Sequence, residues 1–266
     1  SKRVSNVLNI LKNKGYYGIN IDTPFIQPED QQHYVDFIDK ITKRLNSEGF
    51  IVIVTLAPSV FEVSTGIIYE GVDYTGLSQA ANNVVYLLTY AWRYTYSLPP
   101  SVLPINTVQQ MVSKATMLIS PEKFALGVSD IGYIWEFPYF AAIIYVNYLN
   151  YNSVLQLANN TGSVIQFNIP SYSSYFNYII ESREYMAWFK DVRALDLMVV
   201  YAQGYGLQGL SVWNIMDFMT GGWLLLNAQF EIEKVDTTHS PKGAVAFSRG
   251  TARGSHRFPS HTSRKT

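Results

Sequence analysis

The sequence predicts an α/β fold class: parallel strands joined by helices, with a smaller α+β lobe inserted before the last strand. Three observations carry that expectation. Short apolar runs alternate with longer segments whose apolar residues recur at helical spacing, which is the pattern of βα units. Several of those runs are almost continuously apolar, as strands buried on both faces are. The period then changes over residues 133–190, a stretch dense in Tyr, Asn and Ser.

Each element follows from local pattern. Val4, Val7, Leu8 and Leu11 fall at helical spacing over residues 4–14, and Gly15 ends that helix. A strand follows at Ile19–Asp22. Gln27-Pro28-Glu29-Asp30 opens a second helix that runs to about Ser47, with Tyr34, Phe37, Ile38, Ile41 and Leu45 on one face. Phe50–Leu56 is an apolar strand, 76–82 a short helix, and Asn83–Thr89 another buried strand. Beyond Pro99-Pro100 come a helix at Thr107–Ile119 and a strand at Phe124–Val128. After the inserted lobe, Asp191–Tyr205 is a helix, Gly209–Trp213 a strand, and 223–235 closes the globular part. Five parallel-type strands are expected, starting near 19, 51, 84, 125 and 209. The globular unit is placed at 1–235. Residues 236–266 have no hydrophobic period and read as a solvated, disordered basic tail.

Composition excludes several kinds of chemistry. The chain has 266 residues and no cysteine, so disulfides, thiolate catalysis and Cys-metal sites are ruled out. Of the four histidines, only His33 lies outside the last 28 residues, which argues against a zinc site or a Ser-His-Asp triad in the body. No cofactor or metal is expected. There is no 18-residue apolar run, so no membrane span is expected, and the N-terminus does not read as a signal peptide. Net charge is zero overall, but residues 241–266 hold six basic residues and no acid. That leaves 14 basic and 20 acidic residues in 1–240, an acidic body that argues against nucleic acid as a partner. Tyrosine is abundant, at 20 copies. Tyrosines grip sugars with a flat apolar face and a polar tip, and they also serve as ordinary core and surface aromatics.

The segment richest in functional content is Gly18-Ile19-Asn20-Ile21-Asp22-Thr23-Pro24. Side chains on a strand repeat every two residues, so Asn20 and Asp22 share a face and position 24 is the next on it. Proline there has no proton to give. Glu29 and Asp30 lie beyond Pro28, where the next helix begins. Asp130, Tyr133 and Trp135 end another strand on the same predicted face, where they line a sugar cleft or simply pack.

In this order along the chain, several segments resemble glycoside hydrolase family 18, the chitinase-like domains of spore germination and sporulation glycosylases. Gly18-Ile19-Asn20-Ile21-Asp22 is similar to the family's Asp-Gly-x-Asp/Asn-x-Asp-x-Glu strand, and Thr55-Leu56-Ala57-Pro58 to the Ala-Pro after the following strand. Tyr69-Glu70-Gly71-Val72-Asp73-Tyr74 resembles a family loop, and Leu88-Thr89-Tyr90-Ala91-Trp92 resembles Met-Thr-Tyr-Glu-Trp. Trp188-Phe189-Lys190-Asp191-Val192-Arg193 resembles Trp-Phe-Glu-Asp-x-Arg, and Gly209-Leu210-Ser211-Val212-Trp213 the Gly-Ile-Ser-Tyr-Trp of the last barrel strand. Trp223-Leu224-Leu225-Leu226 is similar to the segment just after it.

The resemblance implies a (β/α)8 TIM-type barrel with its site at the C-terminal strand ends. About strands 4–8 are visible here, so the expectation is an incomplete barrel whose open edges a partner would have to cover. It also implies substrate-assisted retention, the family's exception to the two-carboxylate scheme. A Glu protonates the leaving oxygen, the sugar's 2-acetamido oxygen attacks the anomeric carbon, an Asp orients that group, a Tyr hydrogen-bonds to it, and a Trp floors the site. Position by position, Asp22 matches the orienting Asp and Tyr90 the tyrosine, while Trp213 matches the floor and Asn20 the other inward polar position. Trp92, Asp130 and Tyr133 are further substrate-binding candidates. The acid maps to Pro24, and Tyr17 stands where the motif's first Asp would be. The implied function is a sporulation-specific glycosylase acting in the spore or forespore on peptidoglycan or chitin-like glycan and impaired at the acid. The other reading is a non-catalytic amino-sugar-binding pseudoenzyme or a decayed gene product.

Overall fold

The computed structural model describes residues 2–23, 26–56, 61–63, 66–68, 72–87, 105–137, 147–230 and 232. Pro24, Tyr90, Trp92 and the 236–266 tail lie outside the described residues.

The principal sheet consists of β1 (Gly18–Asp22), β2 (Ile51–Leu56), β5 (Asn83–Leu87), β6 (Phe124–Val128) and β12 (Gly209–Val212), in that spatial order. Every pairing in it is parallel. The crossovers carry helices α2 (Gln31–Asn46), α3 (Tyr74–Ala80), α4 (Ile105–Leu118) and α6 (Val192–Gly204). Strand order follows chain order without reversal. Right-handed crossovers then place every helix on the same side, which curls the sheet into an arc of a barrel instead of winding it on both faces.

Alternation along each strand separates the two sides of the arc. Val54, Leu56, Val84, Tyr86, Phe124, Leu126 and Val128 face the helices and are buried against Met111, Val112, Leu195 and Val199. Burying a large apolar side chain of this kind is worth about 1.5–3 kcal/mol each. The residues between them face the barrel interior: Gly18, Asn20 and Asp22 on β1, Thr55 on β2, Gly127 on β6 and Ser211 on β12. Helix α1 (Lys2–Lys14) buries Leu8 and Leu11 against Ile41 and Leu45 of α2 and Val52 of β2.

Gly18 is fixed by close approach. A Cβ there would stand 2.3 Å from the Ile51 carbonyl oxygen, so only glycine lets β1 seat against β2.

Between β2 and α3 lies a hairpin of β3 (Phe61–Val63) and β4 (Gly66–Ile68), which the sequence pattern does not lead one to expect. The smaller lobe is a second, antiparallel sheet. It is built from β7 (Gly132–Phe137), β8 (Asn147–Leu149), β9 (Gln166–Asn168), β10 (Ser173–Ile180) and β11 (Arg183–Phe189), in the order β8-β7-β11-β10-β9. Helix α5 (Tyr151–Asn160) covers one face, packing Val154 and Ala158 on Ile134, Phe176, Ala187 and Phe189. Asn150 starts that helix by accepting the Ser153 amide at 2.8 Å. Helix α7 (Thr220–Gln229) follows β12.

Candidate active site

Asn20 and Asp22 stand on the interior face of β1, in register with Ile53 and Thr55 of β2. The Asn20 side-chain amide donates to the Thr55 hydroxyl at 2.9 Å, and that hydroxyl lies 3.1 Å from the Asn20 carbonyl oxygen. The pair ties the two strands together just below Asp22. Asp22, at the C-terminal end of β1, is exposed. Behind it, Tyr34 of α2 has a phenol pushed up in pKa by burial. The Thr23 hydroxyl opposes that rise and the Asp22 carboxylate adds to it, so the Asp22 charge is felt on the helix behind the strand.

Trp213 directly follows β12, and its amide donates to the Val128 carbonyl at 2.9 Å, which extends the parallel ladder by one residue. By alternation from Leu210 and Val212, which pack on the core, Ser211 and Trp213 fall on the interior side. Trp213 is 51% exposed, a large apolar surface at the C-terminal strand ends. The interior face thus carries Asn20 and Asp22 at one edge of the arc and Trp213 at the other.

Asp130 occupies a different environment. It is buried, and its carboxylate accepts the Met219 amide at 2.9 Å, immediately before α7. Burial pushes its pKa up, its own amide and the Met219 amide oppose the rise, and the Asp217 charge reinforces it. This carboxyl is engaged with a helix start behind the strand. Tyr133 lies half-buried on β7, on the face of the lobe sheet opposite α5, with its ring 6.1 Å from that of Trp135.

Register shows neighbours of Tyr133 that sequence reasoning did not single out as site residues. Tyr133 is directly opposite Trp188 on β11, and Trp188 is opposite Tyr175 on β10. The Trp188 and Tyr175 rings stack at 4.6 Å, and among the described residues the buried Trp188 indole nitrogen has no hydrogen-bond partner. Trp188 lies in a segment already matched to the family; its place on this aromatic row follows only from pairing.

Asp191 and Arg193 form an ion pair. Asp191 caps α6 by accepting the Arg193 amide at 2.9 Å, accepts the Ser174 hydroxyl at 2.7 Å, and pairs with the Arg193 guanidinium. Arg193 also lies over the Phe167 ring at 3.7 Å. A cavity of about 60 Å³ opens between the end of β6 and helices α4 and α6; Ser129, Lys190, Asp191 and Met219 line part of it. None of Asn20, Asp22 or Trp213 lines it. Among the described residues no group of three or more His, Asp or Glu side chains is arranged to hold a metal ion, and no helix is long and apolar enough to cross a membrane.

A parallel sheet curled as in a (β/α) barrel, with polar and aromatic side chains at its C-terminal strand ends, defines a chain of the TIM-barrel class. The chain belongs to the glycosyl hydrolases family 18, whose sequence profile matches residues 1–217. It is similar to the cortical fragment-lytic enzyme of Bacillus subtilis (strain 168), with 26% identity over 232 residues, 87% of this chain and 54% of that protein. Among solved structures it is similar to the spore cortex-lytic enzyme SleL of Bacillus megaterium QM B1551, with a TM-score of 0.75 and 27% identity over 88% of this chain and 53% of that one. A chitinase from Chromobacterium violaceum ATCC 12472, at 20% identity and a TM-score of 0.70 over 84% of this chain and 69% of that one, shares the fold. The chain spans about half the length of the curated relatives it matches.

Proposed function

We propose that this chain is a sporulation glycosylase-type domain directed at N-acetylglucosamine-containing glycan of the spore peptidoglycan, or at chitin-like oligomers, and that its catalysis is impaired at the acid. The observation that carries the proposal is the interior face that presents Asn20 and Asp22 on β1 and Trp213 after β12, together with a sequence in which proline stands two residues beyond Asp22. Asp22 orients the sugar's acetamido group, Tyr90 hydrogen-bonds to it, and Trp213 receives the flat face of the ring. Asn20, braced by Thr55, supplies a neighbouring polar contact. Trp92 and Tyr133 add contacts along the glycan, and Asp130 acts behind them by holding the start of α7. A positioned general acid contributes about 10²–10⁴-fold in rate, and proline cannot supply it, so binding survives better than turnover.

In this reading residues 1–235 form the family 18 unit, with its lobe at about 133–190, and 236–266 lie outside it. The likeness to a spore cortex-lytic enzyme supports a spore setting. Calorimetry with N-acetylglucosamine oligomers tests the reading: heat of binding that falls on Asp22→Ala supports it. No heat with wild-type protein leaves a vestigial domain.

A further inference from the structure

The cavity at the end of β6 is separate from Asn20, Asp22 and Trp213, and its walls come from parts of the chain far apart in sequence. Val108 of α4, Leu195 and Met198 of α6, and Phe218 and Met219 just before α7 make one end apolar; all five are buried. The other end is polar: Ser129 follows β6, and Lys190 and Asp191 join the lobe to α6. At about 60 Å³ the cavity holds several heavy atoms, since one water needs about 10–15 Å³. Water filling it would find no hydrogen-bond partners at the apolar end. A molecule with a short alkyl chain and one polar head fits both ends.

Charge selects that head. The Lys190 ammonium donates to the Ser171 carbonyl at 2.8 Å and reaches the Tyr172 carbonyl at 3.4 Å, contacts that favour its charged form. Asp191 is already engaged by the Ser174 hydroxyl and by the Arg193 amide and guanidinium. Asp130 does not line the cavity and accepts the Met219 amide. Lys190, Asp191 and Arg193 together carry one net positive charge at the polar end, which attracts an anion and repels a cation. We propose that this cavity binds a short-chain monocarboxylate of about four carbons, with its alkyl end among Leu195, Met198 and Phe218 and its carboxylate toward Lys190. This inference does not depend on the sugar-binding proposal.

The test is methionine-methyl NMR on the full wild-type chain, titrated with sodium butyrate at constant ionic strength. Met198 and Met219 line the cavity, whereas Met117 at the end of α4 and Met186 on β11 do not. The expected result is a saturable shift of the Met198 and Met219 signals, with Met117 and Met186 unmoved. The dissociation constant is expected on the order of 1 mM, about tenfold tighter than for n-butanol, and butylamine gives no saturable shift. In Lys190→Gln, whose amide keeps a donor for the Ser171 carbonyl, butyrate and butanol bind alike. The proposal is overturned by the absence of a saturable shift at Met198 and Met219, by equal shifts at Met117 and Met186, by butanol or butylamine binding as tightly as butyrate to the wild type, or by a butyrate preference retained in Lys190→Gln. The three-ligand comparison on wild-type protein decides the matter alone if Lys190→Gln does not fold.

Discussion

The Asn20 side chain and the Thr55 hydroxyl meet at 2.9 Å across β1 and β2, on the interior face and two residues before Asp22. This bond fixes the carboxamide at the other inward polar position of the strand, beside the Asp22 that the proposal assigns to the sugar's acetamido group. Replacing Thr55 by Val keeps the shape and removes the partner. Its expected effect on stability is about 1 kcal/mol. Affinity for N-acetylglucosamine oligomers is expected to fall about fivefold, the equivalent of about 1 kcal/mol. Urea unfolding and calorimetry on the same protein separate the two effects.

Gly18→Ala should be costly for a reason unrelated to chemistry. The added carbon meets the Ile51 carbonyl oxygen at 2.3 Å, and backbone cannot move aside as a side-chain tip can. Overpacking of this sort costs about 1–3 kcal/mol. Denaturant unfolding should show the loss, and a neutral result would mean that β1 does not seat against β2 as described.

Asp191 joins the lobe to the barrel through Ser174, Arg193 and the start of α6. Asp191→Ala removes a helix cap and the acceptor for the buried Ser174 hydroxyl, which keeps only the hydrogen bond it accepts from Arg193, a loss of about 2–4 kcal/mol. Burial works to raise the Asp191 pKa, but the hydrogen bonds from Arg193 and Ser174 and the Arg193 charge outweigh it and hold it below the usual carboxylate range. Because the folded-state value is lowered, this stabilisation is present above the ordinary carboxylate pKa and is lost as pH falls through the folded one. Thermal melts at acid pH should show the gap between wild type and Asp191→Ala closing as Asp191 takes up its proton.

Asp130 titrates with the opposite sign. Burial raises its folded-state pKa, so its contribution is full below the ordinary carboxylate value and declines as pH rises through the raised one. Asp130→Asn retains an acceptor for the Met219 amide and removes the charge. Its stability relative to wild type should therefore improve from acid to neutral pH. A constant difference would show that Asp130 is not held above its ordinary value.

Much of this architecture could be read from the chain because its causes are local. The apolar runs at 50–56 and 124–128 appear as strands at Ile51–Leu56 and Phe124–Val128, and the helix expected to open at 27–30 and run to about 47 appears as a 3-10 turn at Pro28–Asp30 followed by α2 at Gln31–Asn46. The common face of Asn20 and Asp22 follows from the two-residue repeat alone. The β3–β4 hairpin escaped because its three-residue strands are too short to produce a period. The Asn20–Thr55 bond escaped because it depends on pairing between strands separated by a whole helix, and the stack of Trp188 on Tyr175 because it depends on the register of the β10–β11 hairpin. Asp130 shows the limit of alternation at a strand end: two residues past β6, its side chain turns to the start of α7.

The most direct test of the central claim is reducing-end release from spore cortex peptidoglycan, with wild type and Pro24→Glu compared as soluble, folded protein. The account predicts little or no release by wild type and a gain of about 10²–10⁴-fold when the carboxyl is restored. Ready cleavage by wild type, unchanged in Pro24→Glu, would contradict it, because another group would then be supplying the proton.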